Sequence, residues 1–380
     1  MTAIVITQHH AQVFEVGKDD LHTTRVIDID IDISTPMAHN EVLLRVDKFA
    51  LTANNISYGI AGDTLGYWRF FPSNNPQHWG RLPVMGYAEV IKSKNDQILV
   101  GERVWGFMPM ATHLIIVAGN VTQHGFSDVN PCREGLSPIY NYFDRVDANP
   151  FYREQNEDYD ILLRGLFTTS WLVDDFMFDN HYFDAKQYLI TSASSKTSIA
   201  LAYCIKQRGD RPAIGITSEV NKAFVESLGC YDKVISYQQI CELDSAIPSI
   251  LVDMAGGKTT LASIHHHLGS RLTYSCRIGA THHNDIDITQ AGVESHLPGA
   301  SPTFFFAPTQ LKKRSKDWGT TETMKQMNIA LLRYIDFCKC NIKTKHINGL
   351  NQVNDDFQAV LTGCADASAG LIVNPNSVSN

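Results

Sequence analysis

The sequence between residues 188 and 279 alternates apolar runs with segments of helical periodicity, and this alternation restricts the fold more strongly than composition does. The apolar runs are "YLIT", "PAIGITS", "DKVISY", "SILVDMAGG" and "RLTYSCRIG", and the helical segments are "SIALAYCIKQRG", "EVNKAFVESLG" and "KTTLASIHHHLG". Strands that alternate with helices of about ten residues indicate βαβ units. The segment therefore predicts an α/β fold with a doubly wound parallel sheet that has helices on both faces.

The first 110 residues carry a pattern typical of short strands. Segments such as "NEVLLRVDKFAL" and "VMGYAEVIKS" are rich in valine and leucine, and glycine and proline separate them. This pattern predicts a β-barrel-like module. From about residue 120 to 155 the chain is irregular and aromatic, and we expect a connecting segment on the surface of that module. Helical periodicity follows at 160–178 and 320–340, before a tail predicted as turn, helix and strand.

Length and charge limit the classes of function. A chain of 380 residues suggests about two domains, and its net charge of -8 argues against nucleic acid as a partner. The eight cysteines form no CxxC pair, so neither a disulfide framework nor a zinc knuckle is expected. The N-terminus lacks the pattern of a signal peptide, and no apolar run is long enough to cross a membrane. A cytoplasmic location is the expectation.

A serine-rich turn stands between the first strand and the first helix of the alternating segment, where dinucleotide folds bind pyrophosphate. Its residues are Ser192, Ala193, Ser194, Ser195, Lys196, Thr197 and Ser198. Glycine is usual there for a left-handed turn, close ligand approach and close helix packing. Serine hydroxyls can instead donate to phosphate or cap the helix, and a lysine adds positive charge. Two interpretations stay open: a modified phosphate-binding turn, or a turn that only caps a helix.

The end of the second strand bears on the choice of cofactor. NAD-binding folds usually place a carboxylate there to bind the ribose 2′-hydroxyl. Here Ser218 and Lys222 follow the strand, and a hydroxyl with a cation favours the 2′-phosphate of NADP(H). The alternative is an ordinary solvated lysine, and the neighbouring Glu219 weakens the charge argument.

The order of these motifs resembles the medium-chain dehydrogenase/reductase superfamily, in particular its zinc-free quinone-oxidoreductase-like branch. The resemblance covers almost the whole chain. The segments that carry it are "LPVMGYAEVIKSKNDQILVGERVWGF", "LFTTSWLV", "YLITSASSKTS", "ITSEVNKAFVESLGCYDKVISY" and "ILVDMAGG". The details "NNISYGIAGDTLGYWRFFP" and "DMAGG" are similar to those of an uncharacterised bacterial subfamily of unknown function.

The resemblance implies a fold and an activity. It implies a GroES-like β-barrel domain at residues 1–155 and 341–380 and a Rossmann-type cofactor-binding domain at residues 156–340. The implied activity is that of a zinc-independent, NADP(H)-dependent oxidoreductase. Such an enzyme transfers hydride to or from an α,β-unsaturated carbonyl or quinone-like small molecule. The superfamily often dimerises by joining cofactor-domain sheets, which suggests a homodimer.

The resemblance also assigns roles to particular residues. Tyr58 and Asn55 match the active-site region. Tyr58 is expected to deliver a proton, given a lowered pKa or a relayed proton, and the alternative is that it packs a substrate pocket with Tyr67 and Trp68. The further cofactor contacts implied are Thr169, Tyr237, Ala255, Gly256, Gly279 and Phe305, with Phe305 in an apolar wall near the nicotinamide. No metal ligands are implied, because "GYAE" at 86–89 stands where zinc-dependent members have Gly-His-Glu.

Four further candidates each have two interpretations. The histidines at 265–267 point about 100° apart on a helix and cannot converge on one ion, so a position on the helix surface is expected. His282 and His283 follow the strand that ends at Gly279, where the superfamily's loop reaches the nicotinamide; they belong to the site or only to that loop. Glu89 is an acid or base, or a surface carboxylate. The run "KKR" at 312–314 binds phosphate or is a solvated patch.

Two other functions stay open at this point. The missing turn glycines allow a non-catalytic relative that keeps the fold as a ligand-sensing or scaffold protein. A different reaction assisted by bound NADP(H), such as elimination or decarboxylation, is the third hypothesis.

Overall fold

Contacts along the backbone divide the chain into two units. The computed structural model describes residues 8–32, 36–136, 140–254, 257–278 and 297–377. The first unit comprises Met1–Leu162 and Lys343–Asn380, and the second comprises Leu163–Ile342. Ala255, Gly256, Gly279, His282 and His283 lie outside the described residues.

The described residues contain strands in both units. In chain order the strands are β1 (Gln8–Gly17), β2 (Thr24–Asp32), β3 (Glu41–Leu51), β4 (Trp79–Gly80), β5 (Pro83–Ser93), β6 (Arg103–Pro109), β7 (His113–Gly119), β8 (Gly125–Asp128), β9 (Tyr142–Arg145), β10 (Gln187–Ile190), β11 (Ala213–Thr217), β12 (Lys233–Ser236), β13 (Ser249–Asp253), β14 (Leu272–Arg277), β15 (Pro302–Phe304), β16 (Lys343–Asn348) and β17 (Ala369–Asn374).

The helices follow the same chain order. They are α1 (Ala53–Ile60), α2 (Glu157–Asp179), α3 (Lys196–Arg208), α4 (Glu219–Ser227), α5 (Lys258–Leu268), α6 (Ala307–Trp318), α7 (Thr320–Asn341) and α8 (Val353–Leu361). The boundary between the two units falls within α2. Among the helices of the described residues, none has both the length and the apolar character that a membrane span requires.

The first unit contains a closed barrel. Its strands are ordered β3-β5-β6-β9-β8-β7, and β7 pairs back with β3. The inward side chains of β3, such as Val42, Leu44 and Val46, are buried in the barrel core. The segment expected to be only a connection, 120–155, supplies β8 and β9 to this barrel, so that expectation was wrong. The tail contributes β17, which pairs with β3, and an unpredicted strand, β16.

The second unit is built on a parallel sheet of six strands. Their order is β12-β11-β10-β13-β14-β15, and every neighbouring pair is parallel. In chain order within the unit this is 3-2-1-4-5-6, the order of the Rossmann fold. All four residues of β10 are buried, as expected for a central strand covered on both faces. The predicted fold class, a GroES-like β-barrel module with a Rossmann-type sheet, is confirmed.

Helix α3 starts and stops at residues suited to those positions. Ser195 is the N-cap, and its hydroxyl accepts a hydrogen bond from the amide of Ser198. Gly209 ends the helix in the left-handed region, at φ 77°, where a side chain would be strained. Because β10 leads directly into this helix, the N-terminus of α3 lies at the carboxyl end of the sheet.

Candidate functional site

The serine-rich turn lies at the carboxyl end of β10, and its residues differ in whether their backbone conformation favours glycine. Ser192 is the turn residue with a left-handed conformation, at φ 49°, and its amide donates to the hydroxyl of Tyr237 at 3.2 Å. Ser195 has an ordinary extended conformation, at φ -71°. Serine can therefore replace the usual glycine at 195 without backbone strain. The structure also brings Tyr237, which the resemblance had implied, to the turn.

A pair of serine hydroxyls holds the first turn of α3 against the strand. Ser198 is fully buried, and its hydroxyl donates to the carbonyl oxygen of Thr191 at 2.9 Å. Ser195 Oγ lies 2.8 Å from Ser198 Oγ and accepts from the Ser198 amide at 3.1 Å. Since the Ser198 proton is used on Thr191, Ser195 donates to Ser198. Both hydroxyl protons are thus used inside the protein, which favours a capping role for these two side chains.

Ser194 links the turn to the end of β11. Its hydroxyl oxygen accepts from Asn221 Nδ2 at 3.2 Å and from Thr217 Oγ1 at 3.4 Å. Neither bond uses the proton of Ser194, so this hydroxyl has a proton to donate to a ligand. Ala193, by contrast, is buried and packs toward Gly215 of β11, where an added Cβ would lie 2.9 Å from that of Ala193.

Ser218 and Lys222 lie at the start of α4, after β11. Ser218 is the N-cap residue, but its hydroxyl makes no capping hydrogen bond. The Lys222 ammonium donates to Gln239 Oε1 at 3.0 Å, and the same oxygen accepts from the Ser236 amide at 3.0 Å. One of the three ammonium protons is therefore used by Gln239, which directs Lys222 toward the carboxyl end of β12.

The sheet reverses its strand order between β10 and β13, and a hydroxyl joins the two strand ends. Thr191 Oγ1 donates to Asp253 Oδ1 at 2.7 Å and accepts from the Met254 amide at 3.0 Å. Both Thr191 and Asp253 are buried. In open α/β sheets, ligands bind outside the carboxyl ends of the strands at such a reversal.

Sequence reasoning missed two side chains that contact the turn. Ser170 of α2 is fully buried, and its hydroxyl donates to the Thr197 carbonyl oxygen at 2.8 Å. The Tyr334 hydroxyl of α7 donates to the Lys196 carbonyl oxygen at 3.3 Å. The predicted Thr169 instead donates to Gly165 in its own helix, at 3.2 Å. A small polar residue within an apolar helix was the available signal for Ser170.

The catalytic candidates of the first unit, Asn55 and Tyr58, differ in how many of their side-chain polar groups are hydrogen-bonded within the protein. The buried Asn55 accepts from the Thr52 amide at 2.7 Å and donates to the Pro83 carbonyl at 2.9 Å. This commitment favours a structural role as a helix cap. Tyr58 accepts from Asn54 Nδ2 at 2.6 Å. Burial, followed by the nearby hydroxyls of Tyr140 and Tyr67, raises the pKa of Tyr58 well above its ordinary value, which is opposite to the lowering that direct proton delivery would use.

The family model described as "Protein of unknown function (DUF2855)" matches residues 49–366. The chain belongs to the DUF2855 family. This membership confirms the expected link to a subfamily of unknown function. Among curated proteins, none matches the sequence.

Solved structures similar to this DUF2855 chain share its fold at low sequence identity. CurA from Vibrio vulnificus, in complex with NADPH, has a TM-score of 0.61 and 14% identity over 97% of this chain and 100% of its own. A putative NADPH:quinone reductase from Mesorhizobium loti has a TM-score of 0.58 and 12% identity over 99% and 100%. The mitochondrial 2-enoyl thioester reductase Etr1p/Etr2p from Candida tropicalis has 0.55 and 13% over 96% and 100%. The predicted resemblance to medium-chain enoyl and quinone reductases is confirmed at the level of the fold.

The apolar wall predicted around Phe305 is arranged differently in the DUF2855 chain. Phe305 itself is only 8% exposed and packs on Phe176, with ring centroids 5.4 Å apart. Its neighbours Phe304 and Phe306 are 66% and 58% exposed. The side chains that present an apolar surface in "FFFAP" are therefore the two flanking ones.

Three charged or polar candidates are engaged in contacts within the DUF2855 chain. His265 is fully buried, and its ring nitrogens lie 3.0 Å from Pro298 O and 3.0 Å from Ser275 Oγ, so the helix-surface expectation was wrong for this residue. Glu89 forms an ion pair with Arg45. Arg314 of "KKR" is buried against Asp175 at 2.6 Å, and is neither solvated nor directed to a phosphate. Across the described ranges, no three His, Cys, Asp or Glu side chains are grouped as metal ligands.

Proposed function

We propose that the protein is a zinc-independent, NADP(H)-dependent oxidoreductase that acts on an α,β-unsaturated carbonyl or quinone-like small molecule. We further propose that residues 156–340 form the cofactor-binding domain, and that residues 1–155 and 341–380 form the substrate domain. The observation that carries the proposal is the placement of the α3 N-terminus at the carboxyl end of β10, beside the strand-order reversal.

The turn and α3 supply the groups that suit a diphosphate. The amide of Thr197 lies in the first turn of α3, where a helix has no internal acceptor for its N–H groups. These amides and the helix dipole favour a negatively charged ligand. Ser194 lies on the same turn. Its hydroxyl proton is available to a ligand, because its oxygen accepts from Thr217 and Asn221. Ser192, held by Tyr237, fixes the backbone that presents these groups.

The start of α4 favours a phosphorylated ribose. Ser218 leaves its hydroxyl out of the helix cap, and Lys222 is held at 3.0 Å from Gln239. An ammonium beside a hydroxyl complements a phosphate dianion better than it complements a free 2′-hydroxyl. These residues are the basis for proposing NADP(H) as the cofactor.

A nicotinamide cofactor, when bound, supplies or accepts the hydride, and the protein positions it and excludes water. The remaining chemistry is transfer of a proton to or from the substrate. Tyr58 stays protonated because burial raises its pKa, so we assign it hydrogen bonding to the substrate, with proton delivery only through a relay. Thr169 and Phe305 stay as proposed contacts of the nicotinamide end, together with Ala255, Gly256 and Gly279.

A cofactor titration tests the proposal directly. NADPH and NADH are added to the purified protein, and binding is followed by the fluorescence of its five tryptophans. We expect NADPH to bind more tightly than NADH. Lys222→Ala is expected to weaken NADPH about tenfold and to leave NADH nearly unchanged, with Lys233→Ala, an exposed lysine at the opposite end of the sheet, as the matched control.

Ser195→Asp tests the turn itself without removing its cap. Aspartate caps a helix as well as serine does, so α3 is expected to form, while the added charge opposes a diphosphate. We expect this variant to lose binding of both nucleotides and to keep the circular dichroism spectrum. Absence of binding by the unaltered protein at millimolar NADPH and NADH would refute the proposed function.

One observation favours a second candidate function. The hydroxyl protons of Ser195 and Ser198 are used inside the protein, so the turn has fewer donors than its composition suggests. A non-catalytic ligand-sensing or scaffold protein would tolerate that arrangement. The same titration separates the two candidates, because this alternative predicts no nucleotide binding.

A further inference from the structure

Thr197, the second residue of α3, has two hydrogen-bond donors that the protein does not use. Within the described part of the chain, neither its amide nor its hydroxyl has a hydrogen-bond acceptor. The amide of the next residue, Ser198, differs, because it donates to Ser195 Oγ at 3.1 Å. Thr197 is only half-buried, so a ligand can reach it. It therefore offers two donors to one anion, at the end of the helix where the dipole favours negative charge.

Ser170 of α2 holds the carbonyl group of Thr197. Its hydroxyl donates to Thr197 O at 2.8 Å and lies 3.1 Å from Leu166 O in its own helix, so the bond to Thr197 is the shorter of the two. Ser170 is fully buried, and a hydrogen bond shielded from water is costly to lose. Helix α2 thereby fixes the peptide group that joins Thr197 to Ser198.

Tyr334 of α7 contacts the peptide group on the other side of Thr197. Its hydroxyl donates to Lys196 O at 3.3 Å, and this carbonyl shares a peptide group with the Thr197 amide. A donor at the carbonyl polarises the peptide group and strengthens its N–H as a donor. The ring of Tyr334 is fully buried, and its centroid lies 5.1 Å from those of both Phe167 and Tyr203. This packing fixes the hydroxyl relative to α3.

We propose that Ser170 and Tyr334 are positioning residues for the diphosphate of the nucleotide. They act through the two peptide groups that flank Thr197 and fix the direction in which its amide points. This inference rests on the proposed function and adds to it two residues that do not touch the ligand. Hydroxyls from two other helices thus take part of the role that glycine has in other dinucleotide folds, where it allows close packing of the helix.

The test compares two nucleotides that differ in their phosphates. NADPH contains both the diphosphate and the 2′-phosphate, whereas adenosine 2′-monophosphate (2′-AMP) contains only the 2′-phosphate. Binding to the full chain is measured by isothermal titration calorimetry. Ser170→Ala is expected to weaken NADPH about tenfold, and Tyr334→Phe, which removes a longer bond, about threefold. Both variants are expected to bind 2′-AMP as the unaltered protein does, because 2′-AMP has no diphosphate for the turn. A general loss of structure would weaken both nucleotides alike.

Two controls remove matched groups that do not reach the turn. Tyr203→Phe removes the hydroxyl of a ring that packs on Tyr334, and among the described residues no hydrogen bond joins that hydroxyl to the turn. Ser263→Ala removes a bond from a serine hydroxyl to the carbonyl four residues earlier, Thr259 O, at 2.9 Å. Ser170 makes the same kind of bond within α2. Both controls are expected to bind NADPH as the unaltered protein does.

The outcomes separate this inference from the proposed function. If the unaltered protein does not bind NADPH, the oxidoreductase is refuted, and this inference with it. If it binds NADPH and both variants bind it equally well, or lose NADPH and 2′-AMP to the same extent, the positioning role is refuted and the oxidoreductase stands. If 2′-AMP does not bind the unaltered protein, the comparison with Tyr203→Phe and Ser263→Ala decides alone. If circular dichroism shows that Ser170→Ala does not fold, Tyr334→Phe decides.

Discussion

The first turn of α3 contains a buried hydroxyl, that of Ser198, where dinucleotide folds place a glycine for close packing of helix and strand. The hydroxyl donates to the carbonyl oxygen of Thr191, the residue directly after β10, at 2.9 Å. A hydrogen bond thus occupies the space between helix and strand that glycine would leave open. The same oxygen accepts from Ser195, the N-cap residue. Ser198 therefore couples helix capping to helix–strand packing.

Removal of this hydroxyl is expected to destabilise the second unit. Ser198→Ala loses both bonds and leaves the buried Thr191 carbonyl without this donor, at a cost of about 1–2 kcal/mol. For a unit of this size such a loss lowers Tm by roughly 2–8 °C, as measured by differential scanning calorimetry. Ser227→Ala is the matched control, because Ser227 also donates to a helix carbonyl, Phe224 O, at 2.7 Å, but is exposed. Equal effects of the two substitutions would contradict the coupling.

At the scale of elements, the chain after α2 forms an unusual turn. His181, Tyr182, Phe183 and Asp184 all have positive φ, between 49° and 60°, and none is glycine. L-residues in this region cost about 1–2 kcal/mol each, so the surrounding packing must hold the turn. Phe183 stacks on Tyr274 of β14 with centroids 3.9 Å apart and planes 4° apart. Arg211 lies 4.6 Å above the ring of Tyr182.

At position 181 glycine is expected to give a more stable protein than alanine, whereas within a helix alanine is the more stabilising of the two. His181 is exposed, so its replacement changes the backbone more than the packing. His181→Gly is expected to melt roughly 2–4 °C above His181→Ala, because glycine adopts positive φ without the cost of a Cβ. In α4 the exposed Ala223 provides the control, since Ala223→Gly is expected to lower Tm. If His181→Ala and His181→Gly melt at the same temperature, the turn is unstrained at this position.

Elements with a local signal could be predicted from the sequence, and those held by distant partners could not. Gly229, the last residue of the helical segment "EVNKAFVESLG", follows α4 with φ 65°; a residue with no Cβ marks a left-handed helix end by itself. Strands β8 and β9 are only four residues each, and β9 is held by β6 through Val104 and Arg145, which lie far apart in the chain. Arg314 has two lysine neighbours, but Asp175, 139 residues away, buries it. The roles of Asn55 and Ser170 likewise depend on tertiary contacts.

At the scale of the whole molecule, the parallel sheet has exposed aromatic side chains at the end of one edge strand. β15 is the last strand of the sheet, and Phe304 at its end is 66% exposed, followed by Phe306 at 58%. An edge strand offers unpaired N–H and C=O groups, and exposed aromatic side chains beside it favour association. A two-fold dimer would bring the same edge of each copy together. We therefore propose that the protein forms a homodimer through β15.

Phe304→Lys is expected to convert that dimer to a monomer, because a charge at the end of an edge strand opposes pairing with a second copy. Sedimentation velocity measures the change as a halving of the mass from that of two 42.4 kDa chains to that of one. Leu99→Lys is the matched control, since Leu99 lies in the first unit and is 64% exposed, and this variant is expected to stay dimeric. If Phe304→Lys and the unaltered chain both sediment as dimers, the association surface lies elsewhere. If both sediment as monomers, the proposed homodimer is refuted.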